Sequence, residues 1–425
     1  MIAIVGAGIS GLFLGYSLKR KGVTDFIILE KENRVGGKIG TEKWENISLE
    51  LGPNTLMLSE ELEELISNLG LKEKMIFPEE EMINNRFIKK NGSISLLPSK
   101  PQKLLFSNLL SIKSKLSIFK DLRFKPQKVN PSESVSDFFT KHFTEEIVDT
   151  FVSPFCRGIY GSEPSELILK NTFPKLAEIQ KTYGSVIKGL SKSSTKRRVT
   201  FTFDNGVNTL CEALQNELKD HIFTGENISI TKADERFEIK TNQQTINADK
   251  IVLSCSANAC SAFTSSFDKK TSNLLNNISY SRLNVEHRIY EMNDEFPYKG
   301  FGVLYPQKES KNVLGHIWKS NLTPNENKHF LITTMHKSTD NQSFHKELSS
   351  LLEKDYNLKE ENLIHKYTQP WEQAIPVYNK EHNDFLEQYK ELEKINLYFC
   401  SNLVNGVSIP DRLTDAIQLA EKIKQ

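Results

Sequence analysis

Long hydrophobic runs are missing from this chain of 425 residues. No stretch reaches the roughly 18 to 20 consecutive apolar residues that a bilayer-spanning helix needs. No charged-then-apolar leader precedes the first strand-like run, which begins at Ile2. A cytoplasmic chain, soluble or attached to a membrane surface, is therefore expected. Cysteine is sparse: Cys156, Cys211, Cys255, Cys260 and Cys400 are scattered with no C-x-x-C pair, which argues against a disulfide scaffold and structural zinc. The expectation is buried thiols in a reducing compartment. The nine histidines show no H-E-x-x-H spacing, so no metal site is expected. Net charge is also lacking. Fifty-five basic residues against 54 acidic ones leave +1, too even a balance for nucleic acid as the main partner. At this length two or three packing units are expected, enough to bury a large ligand.

What the chain does have stands at its start, "MIAIVGAGISGLFLGYSLKRKG". The apolar run Ile2 to Val5 has the pattern of a parallel strand covered on both faces. The G-A-G-I-S-G that follows suits a phosphate seat: Gly6 for the tight turn, Gly8 for backbone approach to a pyrophosphate, and Gly11 for close packing of the next helix, with Ile9 and Ser10 at that helix's N-terminus. A glycine-rich turn without a nucleotide is the competing reading. Context favours the nucleotide, because "DFIILE" supplies a second strand ending in Glu30, 19 residues after Gly11. A carboxylate there accepts the ribose hydroxyls and repels a 2′-phosphate, which disfavours NADP. "EKENRVGGKIGT" then adds a second glycine turn, Gly36 and Gly37, with Lys31, Arg34 and Lys38 nearby, and "LELGPNTLML" adds Gly52, Pro53 and Asn54 in a third. Three such turns in this order point to FAD rather than NAD.

These residues resemble the FAD-dependent amine oxidase superfamily. The blocks "FVSPFCRGIYGSEPSEL", "TFDNGVNTLCEAL", "GFGVLYP", "LGHIWKSN", "WEQAIPVYNKEH" and "NLVNGVSIPDRL" are similar to the oxygen-dependent protoporphyrinogen oxidase and coproporphyrinogen III oxidase family, over nearly the whole chain. The resemblance implies an α/β fold: a discontinuous Rossmann-like FAD-binding domain, a mixed-sheet substrate domain and a mostly helical, membrane-contacting domain. It implies oxidation of protoporphyrinogen IX to protoporphyrin IX by hydride transfer to the flavin, with oxygen as acceptor, hydrogen peroxide as product and no catalytic side chain. Coproporphyrinogen III oxidation stays open, as do amine oxidation and a flavin-free isoprenoid-binding protein of the type of the GDP dissociation inhibitors. Peripheral contact with the inner face of the cell membrane is expected, and a homodimer stays open.

The expected FAD domain comprises residues 1–85, 196–265 and 386–425, the substrate domain 86–100 and 266–385, and the helical domain 101–195. By resemblance, Ile228 contacts the adenine, and Gly406, Val407 and Ser408 bring a last helix N-terminus to the pyrophosphate or flavin. Ser134 with Asp137 reads as a capping box. Leu105, Leu109, Ile112, Leu116 and Phe119 recur at helical spacing among seven basic residues and one acid between Lys103 and Lys128, a basic amphipathic pattern with a solvated lysine face as the competing reading. "SKSSTKRR" reads as a basic loop. Substrate propionates call for cations. The family's arginine after "LP" is replaced here by "SKPQK", so Lys100 and Lys103 become the candidates, with Phe301 and Val303 as apolar contacts to the ring. His287 and His382 are expected to be structural.

Overall fold

The computed structural model describes residues 1–98, 101–192, 199–292, 294–323, 329–337 and 342–424. The chain divides into two compact units, the first of residues 1–76, 198–279 and 380–425, the second of residues 77–197 and 280–379. The helical stretch expected as a third domain lies inside the second unit, and residues 266–279 fall in the first.

The first unit is built on a five-stranded parallel sheet, in the order Ile222–Phe223, Phe26–Leu29, Ile2–Val5, Lys250–Leu253, Leu397–Phe399. Ile2 pairs with Phe26 on one side and with Lys250 on the other, so strands from the beginning and middle of the chain stand side by side. The central strand is buried throughout, as a sheet covered on both faces requires. Helix Ile9–Arg20 packs against the C-terminal helix Ile409–Ile423, and Leu12, Phe13, Leu413 and Ala416 share one core with Ile4 and Val252. Gly22, with φ of 79°, follows the first helix. An antiparallel meander, Ser229–Ala233, Arg236–Lys240 and Thr245–Ala248, lies in the same unit.

The second unit carries a seven-stranded mixed sheet, in the order Leu363–Pro376, Tyr280–Glu291, His329–His336, Val313–Trp318, Gly302–Leu304, Arg86–Lys90, Ser93–Leu96. Helix Gln342–Tyr356 covers one face, seating Phe344, Leu348, Leu352 and Tyr356 against Tyr290, Tyr305, Trp318 and Ile332.

In the helical part of this unit, the expected long amphipathic stripe is broken. Pro101–Leu104 and Ile112–Asp121 are separate helices, and Leu109 turns inward between them. The second of these helices is inside out. Its buried side chains are Ser114, Ser117 and Asp121, while Ile112, Leu116 and Phe119 face solvent. Hydrogen bonds rather than apolar contacts hold it: the Ser114 hydroxyl donates to Glu146 at 2.6 Å, and Asp121 accepts from His142 Nδ1 at 2.6 Å, from the Ser185 hydroxyl at 2.6 Å and from the amide of Ile187 at 2.9 Å. The His142 ring is packed between Phe124 and Phe138. Ser134 caps helix Val135–His142 by accepting from the Asp137 amide at 3.0 Å. Val135 and Phe138 are buried beneath that cap.

Burial by itself would raise the Asp121 carboxyl, but its bonds to His142, Ser185 and Ile187 outweigh that and hold it below the ordinary 3.8. A carboxylate lowered on folding stabilises the fold fully above its unfolded pKa, and that contribution drains away as the pH falls from there through the folded value. Asp121→Ala leaves several buried donors unpaired and should cost about 3 to 5 kcal/mol, the range for stripping one partner from a buried pair. Thermal melts of the two proteins should lie far apart at neutral pH and draw together below pH 3.8. A gap independent of pH would show that Asp121 does not carry the effect as a charge.

Candidate cofactor site

The loops that follow the parallel strands of the first unit gather at the sheet's carboxyl edge, where open α/β sheets bind ligands. Gly6, with φ of 112°, turns the chain out of the central strand, and a Cβ there would lie 2.6 Å from the Ser254 carbonyl oxygen. A Cβ on Gly11 would overlap the Gly6 carbonyl oxygen, so helix Ile9–Arg20 starts hard against the turn. The chain itself explains both glycines. Gly8 is different. Its φ of −67° and ψ of 172° suit any residue, and a Cβ there would meet only the Gly37 Cα at 4.0 Å. Nothing in the polypeptide requires glycine at position 8; what a side chain would fill is the space beside the helix N-terminus. That is the fit expected of a backbone seat for a diphosphate.

The second glycine turn closes over the same place. Gly36 forms a parallel bridge with Gly8, and its amide donates to the Ala7 carbonyl at 2.8 Å. Arg34 is expended on the turn's own backbone, donating to the carbonyls of Ile39 at 3.2 Å and Gly37 at 2.8 Å. Half-buried Lys38 lies beside it, and desolvation lowers its ammonium to about 8. A diphosphate alongside would restore the charged form. Gly52 packs against the Lys38 carbonyl, with Asn54 Nδ2 donating to the Gly52 carbonyl at 3.3 Å and Pro53 half-buried between them.

Glu30 ends its strand with a buried carboxylate. Oε2 accepts from the Ala7 amide at 2.7 Å and Oε1 from the Glu32 amide at 3.0 Å. A carboxylate has about four acceptor positions, so ribose hydroxyls still find lone pairs. The segment leading to Ile228 runs alongside, through Glu226 N to Glu30 O at 3.0 Å and Gly225 N to Glu32 O at 3.0 Å. Lys31, next to Glu30, is exposed and paired with Glu32 at 3.3 Å.

The C-terminal segment reaches the same edge. Cys400, one residue past the last strand, donates its thiol to the Ser10 carbonyl at 3.6 Å, and its own carbonyl accepts from the Ser254 hydroxyl at 2.8 Å. Gly406 and Val407 lead into Ser408, whose hydroxyl caps helix Ile409–Ile423 by accepting from the Asp411 amide at 3.3 Å. Sequence reasoning missed what fixes this loop. Buried Arg412 donates to the Ser401 carbonyl and pairs with Asp415 at 3.3 Å, Asp415 accepts from Asn405, and the His382 Nε2–H donates to the Leu403 carbonyl at 2.8 Å. Burial lowers His382 to about 4, so it serves as a neutral prop, while buried His287 is held on the Thr333 hydroxyl at 2.9 Å. Ser254 and Ser401 were legible in principle, since each stands just past the end of a buried strand.

A family model described as flavin containing amine oxidoreductase matches residues 9–423. The chain belongs to this family. It is an FAD-dependent oxidoreductase, and the three turns, Glu30, Lys38 and the Ser408-capped helix would hold its cofactor. It has curated relatives along nearly its whole length. It is 28% identical to the mitochondrial protoporphyrinogen oxidase of Nicotiana tabacum, covering 99% of this chain and 94% of that one. It is 23% identical to the coproporphyrinogen III oxidase of Bacillus subtilis over 96% of this chain and 95% of that one. Among solved structures, a candidate protoporphyrinogen oxidase from Exiguobacterium sp. 255-15 superposes with a TM-score of 0.82 at 18% identity, covering 100% of this chain and 98% of that one.

The expected substrate contacts lie in the second unit. Val303 does not suit the role. It is 2% exposed in the core beneath helix Gln342–Tyr356, because strand alternation turns it to the same face as Tyr305. Phe301 is half-buried, with the Arg86 guanidinium 4.4 Å from its ring centroid. Lys103 is exposed on the short helix Pro101–Leu104, and Lys100 lies outside the described residues, as does most of the "SKSSTKRR" loop.

Gly8 separates cofactor binding from folding. Gly8→Val should leave the melting temperature of the flavin-free protein within the small range of surface changes, about 0.5 kcal/mol, while FAD affinity drops by more than tenfold, or about 1.4 kcal/mol. Gly11→Val should instead unfold the first unit. Titration with FAD followed by flavin fluorescence decides it: undiminished affinity in Gly8→Val removes this seat.

Proposed function

We propose that the protein oxidises protoporphyrinogen IX to protoporphyrin IX, with dioxygen as electron acceptor and hydrogen peroxide as product. The observation that carries this is the 28% identity to a protoporphyrinogen oxidase over 99% of this chain and 94% of that relative. Bound FAD supplies two-electron acceptance of hydride, chemistry that side chains cannot perform. The chain's own contribution is placement. The Gly8 and Gly37 backbone admits the diphosphate, two helix N-termini and Lys38 supply positive potential, Glu30 orients the ribose, and Arg412 and His382 fix the loop that brings the second helix in. Removing six hydrogens from the macrocycle takes three two-electron rounds, so three dioxygen molecules become three of peroxide.

Anaerobic mixing of the holoprotein with each porphyrinogen, followed by flavin absorbance, tests the reading. Bleaching should be faster with protoporphyrinogen IX than with coproporphyrinogen III. The reverse order would transfer the assignment to the tetracarboxylate, in line with the Bacillus subtilis relative, and no bleaching with either would overturn both.

The inside-out helix supports docking on an anionic lipid surface. Phe106, Ile112, Leu116 and Phe119 are 89%, 77%, 62% and 53% exposed, and Lys103, Lys113, Lys120, Arg123 and Lys125 are exposed around them. Apolar side chains of this size enter the headgroup layer, and each cation near an anionic surface contributes about 1 kcal/mol. No helix among the described residues is long and apolar enough to cross a membrane. The protein should sediment with phosphatidylglycerol vesicles and much less with phosphatidylcholine. Ile112→Glu with Leu116→Glu should abolish this without affecting flavin content; equal sedimentation of the variant would sink the docking face.

A further inference from the structure

Two of the five cysteines meet. Cys255 and Cys260 place their sulfurs 3.3 Å apart, both as free thiols. The contact follows from helix geometry. Helix Ala257–Thr264 is capped at Ser256, so Cys255 stands just before the cap and Cys260 is the fourth helical residue, the two positions that face each other across a helix start. The two thiols are unequal. Cys260 is fully buried, whereas Cys255 is half-buried, the one cysteine of the chain with appreciable exposure. Burial pushes the thiols of Cys156 and Cys211 to about 12 and raises Cys400 as well, so these three stay protonated and inert; burial raises Cys260 too, so its proton has to leave as its sulfur reacts. Cys255 also has a mechanical connection to the cofactor seat. It directly follows Ser254, whose amide donates to the Val5 carbonyl at 2.8 Å, whose carbonyl sits against Gly6, and whose hydroxyl holds the Cys400 carbonyl.

We propose that Cys255 and Cys260 are a redox-active pair that closes to a disulfide when hydrogen peroxide reaches Cys255, and that closure loosens the Gly6 turn and speeds release of FAD. The Cys255 sulfur attacks the peroxide, breaking the O–O bond and becoming a sulfenic acid as one water leaves. The Cys260 sulfur then attacks the Cys255 sulfur; the S–S bond forms, the S–O bond breaks, and hydroxide leaves with the Cys260 thiol proton as a second water. Two thiols lose two electrons and the peroxide oxygens gain them. The sulfurs have to close from 3.3 Å to about 2.05 Å, and that pull is transmitted through Ser254. A local supply of peroxide rests on the dioxygen reading above; the thiol chemistry does not.

Both cysteines lie between Lys250 and Lys269, so one tryptic peptide carries the pair. The holoprotein is treated with added hydrogen peroxide, unfolded, alkylated and mapped by mass spectrometry, with flavin release followed by ultrafiltration. The wild-type peptide should emerge two hydrogens lighter and unalkylated, with FAD lost several-fold faster and retention restored by dithiothreitol. Cys260→Ser should instead yield a dimedone-trapped sulfenic acid at Cys255, and Cys255→Ser should show neither change. A wild-type peptide that keeps two alkylatable thiols under conditions that oxidise Cys255 in Cys260→Ser overturns the pair. A disulfide that forms with FAD retention unchanged overturns its coupling to the seat. Neither readout involves a porphyrinogen, so failure here is distinct from failure of the proposed reaction.

Discussion

The carbonyl oxygen of Gly6 lies where a side chain on Gly11 would begin, and the cofactor site depends on that approach. It brings the start of helix Ile9–Arg20 down onto the carboxyl edge of the parallel sheet, so that the helix's unpaired amides point into the space beside Gly8. Once the helix is there, the other segments have somewhere to converge. The Gly36 turn bridges to Gly8, Gly52 leans on Lys38, and the loop after the last strand reaches Ser10 through Cys400. Widening this single contact would separate the donors that make the seat, because each of the other segments touches the first turn or a neighbour that does.

The seat is made chiefly of backbone. Its charged side chains act mostly on the protein: Arg34 holds the second turn, Arg412 the C-terminal loop, and Glu30 spends part of its carboxylate on the amides of Ala7 and Glu32. Lys38 is a half-buried cation in the second turn whose ammonium desolvation lowers, so a negative charge alongside would favour its charged form. Such an arrangement suits a flavoenzyme, in which the protein supplies orientation and electrostatics rather than nucleophiles.

The second unit solves an unusual packing problem. A helix normally buries its apolar stripe, whereas Ile112–Asp121 buries two serines and an aspartate and turns Ile112, Leu116 and Phe119 outward. Directional bonds to Glu146, His142 and Ser185 compensate for the apolar contacts it lacks. Directional bonds of this kind favour one orientation, and that orientation is what leaves the apolar face exposed.

The glycine turns, Glu30 and the Ser408-capped helix were legible because each rests on a local rule: a turn that needs positive φ, a carboxylate at a strand end, a hydroxyl before a helix. The parallel strands were legible for the same reason, as short apolar runs with no alternation. Long-range geometry decided the rest. Val303 reads as a free apolar contact in "GFGVLYP", yet strand parity and the helix above it place it in the core. The periodic leucines after Lys103 read as one amphipathic helix, yet Asp121, whose partners His142 and Ser185 lie 21 and 64 residues away, determines which face turns inward. Sequence by itself determined which backbone conformations and caps occur, since those energies are set by neighbouring residues. Only the tertiary structure decided which side chains meet across long separations, because pairing of that kind depends on where distant segments pack.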